Sequence, residues 1–285
     1  MKATYLRQLE TIAKQVEGIS ITQDETWYRR FAIFSTNLGL MMPQIPVARH
    51  IDLFKKTVRN QCCAKEEEKY VSIIDYSMQE AVMNAVAGLH SQPAVICTFH
   101  TGSYRLLGHV LAKMGVPFAL LVASGIAVNQ GDAFRQSYQS INQQALAAFD
   151  IIDAESPAAA LKMIRCLRRG VSLLTYVDGN TGAGSQQAST VPVPFMDGTL
   201  RVRQGLPWLA LKAQVPLLTI HCLREETGRI VFKLGQDALE FQHDGPIELA
   251  PARAMQCIYS DLAAQIGDCP WQWENWLYLH RFFLT

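Results

Sequence analysis

Ala94-Val-Ile-Cys-Thr-Phe-His100-Thr-Gly-Ser-Tyr-Arg-Leu-Leu-Gly-His109-Val-Leu-Ala-Lys-Met-Gly115 holds an apolar run, a polar break and an amphipathic run in immediate succession. Ala94 to Phe99 are apolar or β-branched enough for a buried strand. Leu106, Leu107, Val110, Leu111 and Met114 recur at helical spacing. The stretch reads as strand, turn, helix, and His100 sits where the strand ends. In α/β sheets the crevice at the carboxyl ends of strands is where ligands bind. A histidine there, followed by the conformationally permissive Gly102, is a candidate general base. The plainer reading is a histidine hydrogen-bonded at a strand end.

The same alternation continues outward toward the C-terminus. Val116 to Val122 reads as a second buried strand, Gly131 to Phe149 as a helix, and Asp150 to Asp153 as a short strand. Ser156-Pro157 is an N-cap and N1 pair that opens a helix running to Arg169, with Gly170 to end it. Val171 to Val177 is a third strand, Arg201 to Gln214 reads as a helix with an early proline, and Pro216 to Leu223 is the next strand. Strands alternating with helices of about 10–15 residues give a parallel or mixed sheet covered on both faces. The predicted fold class is α/β, a mostly parallel central sheet with helices on both faces. Residues 1–90 form an N-terminal helical region, and 91–285 the α/β core.

The N-terminal region opens with a polar helix over Thr4 to Glu17. Next comes the apolar stretch Glu25 to Met42, whose Trp27, Phe31, Phe34, Leu38, Met41 and Met42 form a helical stripe. Two fates fit that stripe: core packing, or contact with lipid or an acyl chain, with Phe31 to Met42 as one wall of an acyl pocket. Lys55 to Leu89 reads as helical throughout, with Lys65-Glu-Glu-Glu-Lys69 as its solvated face.

A chain of 285 residues that is 49% hydrophobic buries a sizeable core, and a net charge of +1 leaves no electrostatic footprint for nucleic acid. No window approaches about 18 uninterrupted apolar residues, and the first 25 residues are too polar for a signal peptide. The expected location is the cytoplasm, with peripheral contact at the inner membrane as the alternative should the apolar stripe meet lipid rather than core. Seven cysteines form no CxxC pair and are odd in number, the signature of reduced thiols rather than disulfides or a zinc site. No metal is expected.

Asp178 leaves the third strand at the head of a polar loop with glycines at 179, 182 and 184. It should lie near His100, orienting a base or holding an acceptor, or else closing an Asx turn on its own backbone. The loop contains no GxxxxGK[ST], so nucleotide binding is rejected. His109 reads as packed inside its helix, and His50, His90, His221 and His243 are assigned nothing. Trp271, Trp273 and Trp276 read as core anchors for the tail.

Four blocks in order, His100-Thr-Gly102, the Asp178 loop, Val-Pro-Phe-Met-Asp-Gly198 leading to Leu209-Ala210, and Pro270-Trp-Gln-Trp-Glu-Asn-Trp-Leu-Tyr-Leu-His280-Arg-Phe282, resemble the lipid A biosynthesis (lauroyl/myristoyl) acyltransferases of the lysophospholipid acyltransferase superfamily. The resemblance covers about residues 94–283. It implies a lysophospholipid-acyltransferase-like fold and transfer of an acyl group from a carrier-protein or coenzyme A thioester to an amine or hydroxyl. The histidine of the family's H-x4-D/E motif would be the base. No bound cofactor is implied; the donor is a phosphopantetheine thioester on an acyl or peptidyl carrier protein, and the acceptor a small molecule or lipid.

Two departures stand out. Arg105 occupies the position of the motif's acid, so Asp178 is the expected substitute partner for His100, ahead of Asp150 or Asp153. The N-terminal membrane anchor common among the lipid A enzymes is not found. Arg105 itself can present a fork of donors to a carboxylate or phosphate, and its charge should hold His100 neutral. Gly102, Ser103, Tyr104 and Arg105, with Arg201 and Arg203, make up the expected substrate-binding set. Two functions follow: an acyltransferase using His100 and Asp178, or a non-catalytic acyl-carrier or lipid-binding protein on the same fold.

Overall fold

The computed structural model describes residues 1–139, 141, 149–180, 182, 190–236 and 246–282. The organising stretch forms strand β2 (Val95–Thr98), a turn, and helix α5 (Leu106–Lys113). Around it a seven-stranded sheet runs in the order β1 (Tyr76–Met78), β9 (Ile230–Leu234), β8 (Leu217–Arg224), β2, β5 (Ser172–Tyr176), β3 (Phe118–Val122), β4 (Asp150–Asp153). The five strands from β8 to β4 are parallel to one another. β9 is antiparallel to β8, and β1 is parallel to β9. Every residue of β2 and β3 is buried, as expected of central parallel strands covered on both faces.

Because side chains alternate along a strand, each strand feeds two cores. Ile96, Leu120, Leu174 and Ile220 face α4 (Glu80–Gly88), α5 and α6 (Ser124–Gln139). Val95, Cys97, Leu121, Leu173 and Leu217 face the other way. There they meet α7 (Ala159–Arg168), α8 (Gly205–Ala213) and α9 (Ala250–Ile266), with α2 (Glu25–Met41) and α3 (His50–Glu67) packed beyond. The α/β reading and the mostly parallel sheet are therefore observed. A separate two-stranded antiparallel hairpin joins β6 (Thr190–Phe195) to β7 (Gly198–Arg203).

Several expected elements differ. Lys55 to Leu89 is not one helix: α3 ends at Glu67, a 3₁₀ turn spans Glu68–Tyr70, and β1 intervenes before α4. Tyr76 to Met78 becomes strand because its backbone pairs with β9, a partner about 150 residues away that helical periodicity cannot reveal. Arg201 to Arg203 belong to β7 rather than to a helix, since the hairpin partner claims them, and α8 starts only at Gly205. α7 begins at Ala159, with Ser156 Oγ accepting from the Ala158 amide (3.3 Å) in the preceding turn. Its end is as read: Gly170 takes φ +79°, and the amides of Gly170 and Val171 bond back to Leu167 and Cys166.

The apolar stripe of α2 faces the core. Phe34, Leu38 and Met41 are buried, Phe31 and Phe34 pack their ring edges on Phe54, and Asn37 Nδ2 donates to the Trp276 carbonyl (2.7 Å). Trp273 and Trp276 are buried as the core reading expects, while Trp271 is only partly so. Among the described residues no helix is long and apolar enough to cross a membrane. The end of the helix expected over Gly131 to Phe149, most of the loop after Asp178 including Gly184, and His243 lie outside the described residues.

Candidate active site

The C-terminal block holds the turn after β2 in place. The Glu274 amide donates to the His100 carbonyl (2.9 Å), the Gly102 amide to Gln272 (3.1 Å), and Thr101 bridges to Trp273. Gly102 has φ +52°, and a Cβ there would lie 2.4 Å from the Cys222 carbonyl oxygen, so only glycine fits against β8. β5 lies beside β2 and points the same way, which brings the 3₁₀ turn Val177–Gly179 to the same end of the sheet.

Asp178 is buried in that turn and its carboxylate is spoken for by three donors. His100 Nδ1 approaches Oδ1 at 2.8 Å, while Oδ2 accepts from the His100 amide (3.0 Å) and from Trp273 Nε1 (2.7 Å). Asn275 Nδ2 donates to the Asp178 carbonyl at 2.5 Å. With a carboxylate as its neighbour, Nδ1 carries the ring proton, and Nε2 is left as the nitrogen able to accept another. The imidazole is clasped between the rings of Tyr104 and Tyr176 (centroids 4.8 and 5.0 Å), and a quarter of its side chain is exposed.

Burial pulls the His100 pKa down, but Asp178, through charge and hydrogen bond, and then Glu274 push it up further, so it ends above its ordinary value. Arg105 acts downward, as its charge requires, and is outweighed. The downward push expected of Arg105 is present but does not set the net direction.

His100 opens on a cavity of about 410 Å³ at the strand tips, within the usual range for a small-molecule site. Its polar lining includes Glu68, His100, Tyr104, Arg105, Asn180 and Arg203. Much of the remainder is apolar, contributed by β3, α6, α7 and α8. No residue of α2 reaches it, so the expected acyl-pocket wall from Phe31 to Met42 is ordinary core.

The expected substrate-binding residues divide. Tyr104, Arg105 and Arg203 line the cavity. Arg105 Nη1 pairs with Glu68 (3.2 Å), and its guanidinium lies over the Tyr104 ring. Arg203 donates from Nε to the Asn180 carbonyl (3.2 Å). Gly102, Ser103 and Arg201 are not among the lining residues. Ser103 is buried on the far side of the turn, where its hydroxyl donates to Glu67 Oε2 and accepts from Arg224 Nη2 (2.5 Å). Asp150, considered as a partner for His100, pairs with Arg135, and Asp153 accepts from Ser124.

The acidic run at 65–69, read as a solvated face, proves to be partly interior. Glu67 is fully buried and takes a two-pronged bond from Arg224 (2.7 and 2.8 Å), and Glu68 enters the cavity wall. A charged helical stretch carries no local signal that one of its acids will meet an arginine from β8. His109 is packed as read, between the Arg105 carbonyl (3.1 Å) and Ser137 Oγ (2.9 Å).

Glu274 escaped the sequence reading altogether. It is buried behind His100, with Oε2 near Gln61 Nε2 (3.2 Å) and Tyr104 OH (3.5 Å) and Oε1 without a hydrogen bond. Burial raises its pKa, and the nearby His100 lowers it in part. Among the described residues no cluster of three or more histidine, cysteine or acidic side chains is placed to hold a metal ion. No family model matches the chain, and no curated protein matches it.

Proposed function

We propose that this chain is an acyltransferase with His100 as general base, on a lysophospholipid-acyltransferase-like fold, in keeping with its resemblance to the lipid A biosynthesis acyltransferases. The single observation that carries the reading is a histidine oriented by a buried carboxylate and opening on a largely apolar cavity. The acyl chain of a thioester occupies apolar lining, and the acceptor's hydroxyl or amine meets Nε2 of His100. As the acceptor oxygen or nitrogen attacks the thioester carbonyl carbon, Nε2 takes its proton, and Asp178 stabilises the resulting imidazolium. Collapse of the tetrahedral adduct breaks the carbon–sulfur bond, and the departing sulfur takes the proton back from Nε2. No covalent enzyme intermediate is needed. Arg105 and Arg203, the cations of the cavity wall, are suited to an anionic group such as the phosphate of a phosphopantetheine donor.

The test is incubation of the protein with acyl thioesters of a carrier protein, of coenzyme A and of free pantetheine. A panel of amine and hydroxyl acceptors is supplied, and both loss of the acyl-pantetheine mass and gain of acylated product are followed. Acceptor-dependent product that vanishes in His100→Ala supports transfer. Tight thioester binding with no turnover on any acceptor replaces it with the reading of a non-catalytic carrier- or lipid-binding protein.

A further inference from the structure

The cavity straddles the edge of the sheet rather than lying on one face. Leu120 and Leu121 are adjacent in β3 and project to opposite cores, yet both line it. On the α7 and α8 side the lining includes Leu121, Ala159, Met163, Leu206 and Leu209, aliphatic or thioether, together with the half-exposed Trp208 of α8. On the α6 side four rings join Leu120, Ile126 and Gln130. Tyr104 and Tyr176 lie 5.3 Å apart against His100, and Tyr138 and Phe134 continue outward, stacked at 6.3 Å with planes 12° apart. What sets the α6 arm apart is this cluster of four rings running from His100, against the single ring, Trp208, that α8 contributes to the other arm.

Flexible aliphatic side chains adapt to a flexible chain, whereas aromatic faces and edges gain specifically from another planar ring. We propose that the arm under α6 is the acceptor site and takes a planar aromatic group carrying the reacting hydroxyl or amine, while the arm between α7 and α8 takes the acyl chain. The assignment of arms rests on the acyltransferase reading; the existence of two separately occupied arms does not. The aromatic arm starts at the residues that clasp His100, so a ring lodged there brings an attached hydroxyl or amine toward Nε2. Tyr138 is held back by its neighbour: a Cβ at Gly108 would lie 2.3 Å from its hydroxyl. Glycine at 108 thus leaves the phenol room to withdraw from the arm.

The test uses two probes and no catalysis. Binding of 2-phenylethanol and of 2-cyclohexylethanol, equal in reach but one planar and one not, is measured by calorimetry, alone and in protein saturated with laurate. The aromatic alcohol is expected to bind roughly 3- to 10-fold more tightly than its saturated counterpart, the size of a specific ring–ring preference. Laurate should not compete with it. Phe134→Leu should erase the aromatic preference while leaving laurate binding unchanged, and Met163→Trp should weaken laurate alone. Equal binding of the two alcohols, no detectable binding of the aromatic one, or competition between it and laurate overturns the proposal. An active enzyme that shows any of these results keeps its acyltransferase reading and loses this one. A protein that binds both probes separately but transfers nothing keeps the two arms and loses the reaction.

Discussion

Two histidine–aspartate pairs lie on neighbouring strands of this sheet, and of the two only the His100 pair opens on the cavity. His100 meets Asp178 at 2.8 Å and His221 meets Asp261 at 2.7 Å, so the pairing itself is the same. What differs is which nitrogen is used and what lies beyond it. His100 spends Nδ1 on its carboxylate and turns the ring to a cavity. His221 spends Nε2, is fully buried, and stacks on Phe99 at 5.3 Å with planes 9° apart; its Nδ1 has no hydrogen bond. One pair sits past the end of β2 and the other inside β8, so a few residues of position along parallel strands separate a cavity-facing pair from a packed one. The contrast teaches that access, not the pairing, is what separates the two histidines.

The largest effect that tests this contrast is loss of the exposed pair. His100→Ala should lower the transfer rate about 10²-fold or more, the ordinary weight of general-base catalysis, with little change in thermal midpoint. Undiminished turnover would break the comparison at its root. The buried pair should behave in the opposite sense. His221→Ala leaves Asp261 interior without its partner and should cost roughly 3 kcal/mol or more in urea unfolding, while the folded protein keeps its turnover. A stable His221 variant that loses activity would show that the second pair also serves the reaction.

A smaller effect separates the two sides of the turn that carries His100. Ser103→Ala removes a hydroxyl from the buried network of Glu67 and Arg224 and touches no cavity-lining atom. It should cost about 0.5–3 kcal/mol of stability and leave KM for donor and acceptor unchanged. A raised KM with unchanged stability would return Ser103 to the substrate-binding set.

What was legible in the sequence follows the same line of division. The strand, turn and helix around His100 and the strands of the parallel core were readable because apolar runs and turn residues are local signals. Asp178 was readable as a neighbour of His100, since both follow strands whose carboxyl ends share one edge. Glu67, Glu274 and the edge strand β1 were not. Their roles depend on partners about 150 or more residues away, and a buried acid has no local pattern that tells it from a solvated one. Ser103 and Arg105, separated by one tyrosine, point to different sides of the turn, which no spacing argument on an irregular segment could decide.

The smallest expected effect is a shift in pH dependence, and it bears on why the exposed pair is tuned as it is. The charged groups around His100 are Asp178 after β5, Glu274 from the C-terminal block and Arg105 from the turn; the first two push its pKa up and the third pushes it down. A base must be unprotonated to act, so turnover should rise with pH through a midpoint above 6.5, the ordinary histidine value. Stability should run the other way. A raised folded pKa means that the protonated imidazole stabilises the fold fully below the unfolded pKa, and that contribution is lost as pH rises through the folded one. Glu274→Gln removes one upward push while preserving shape and the backbone bond to His100. The acidic limb of the rate profile should therefore move to lower pH, by less than removal of Asp178 would move it, and the wild-type loss of stability with rising pH should shift the same way. His221, in contrast, should leave that limb untouched when replaced. An unmoved limb in Glu274→Gln would mean that Asp178 alone sets the basicity of His100, and that the buried acid behind it is there for packing.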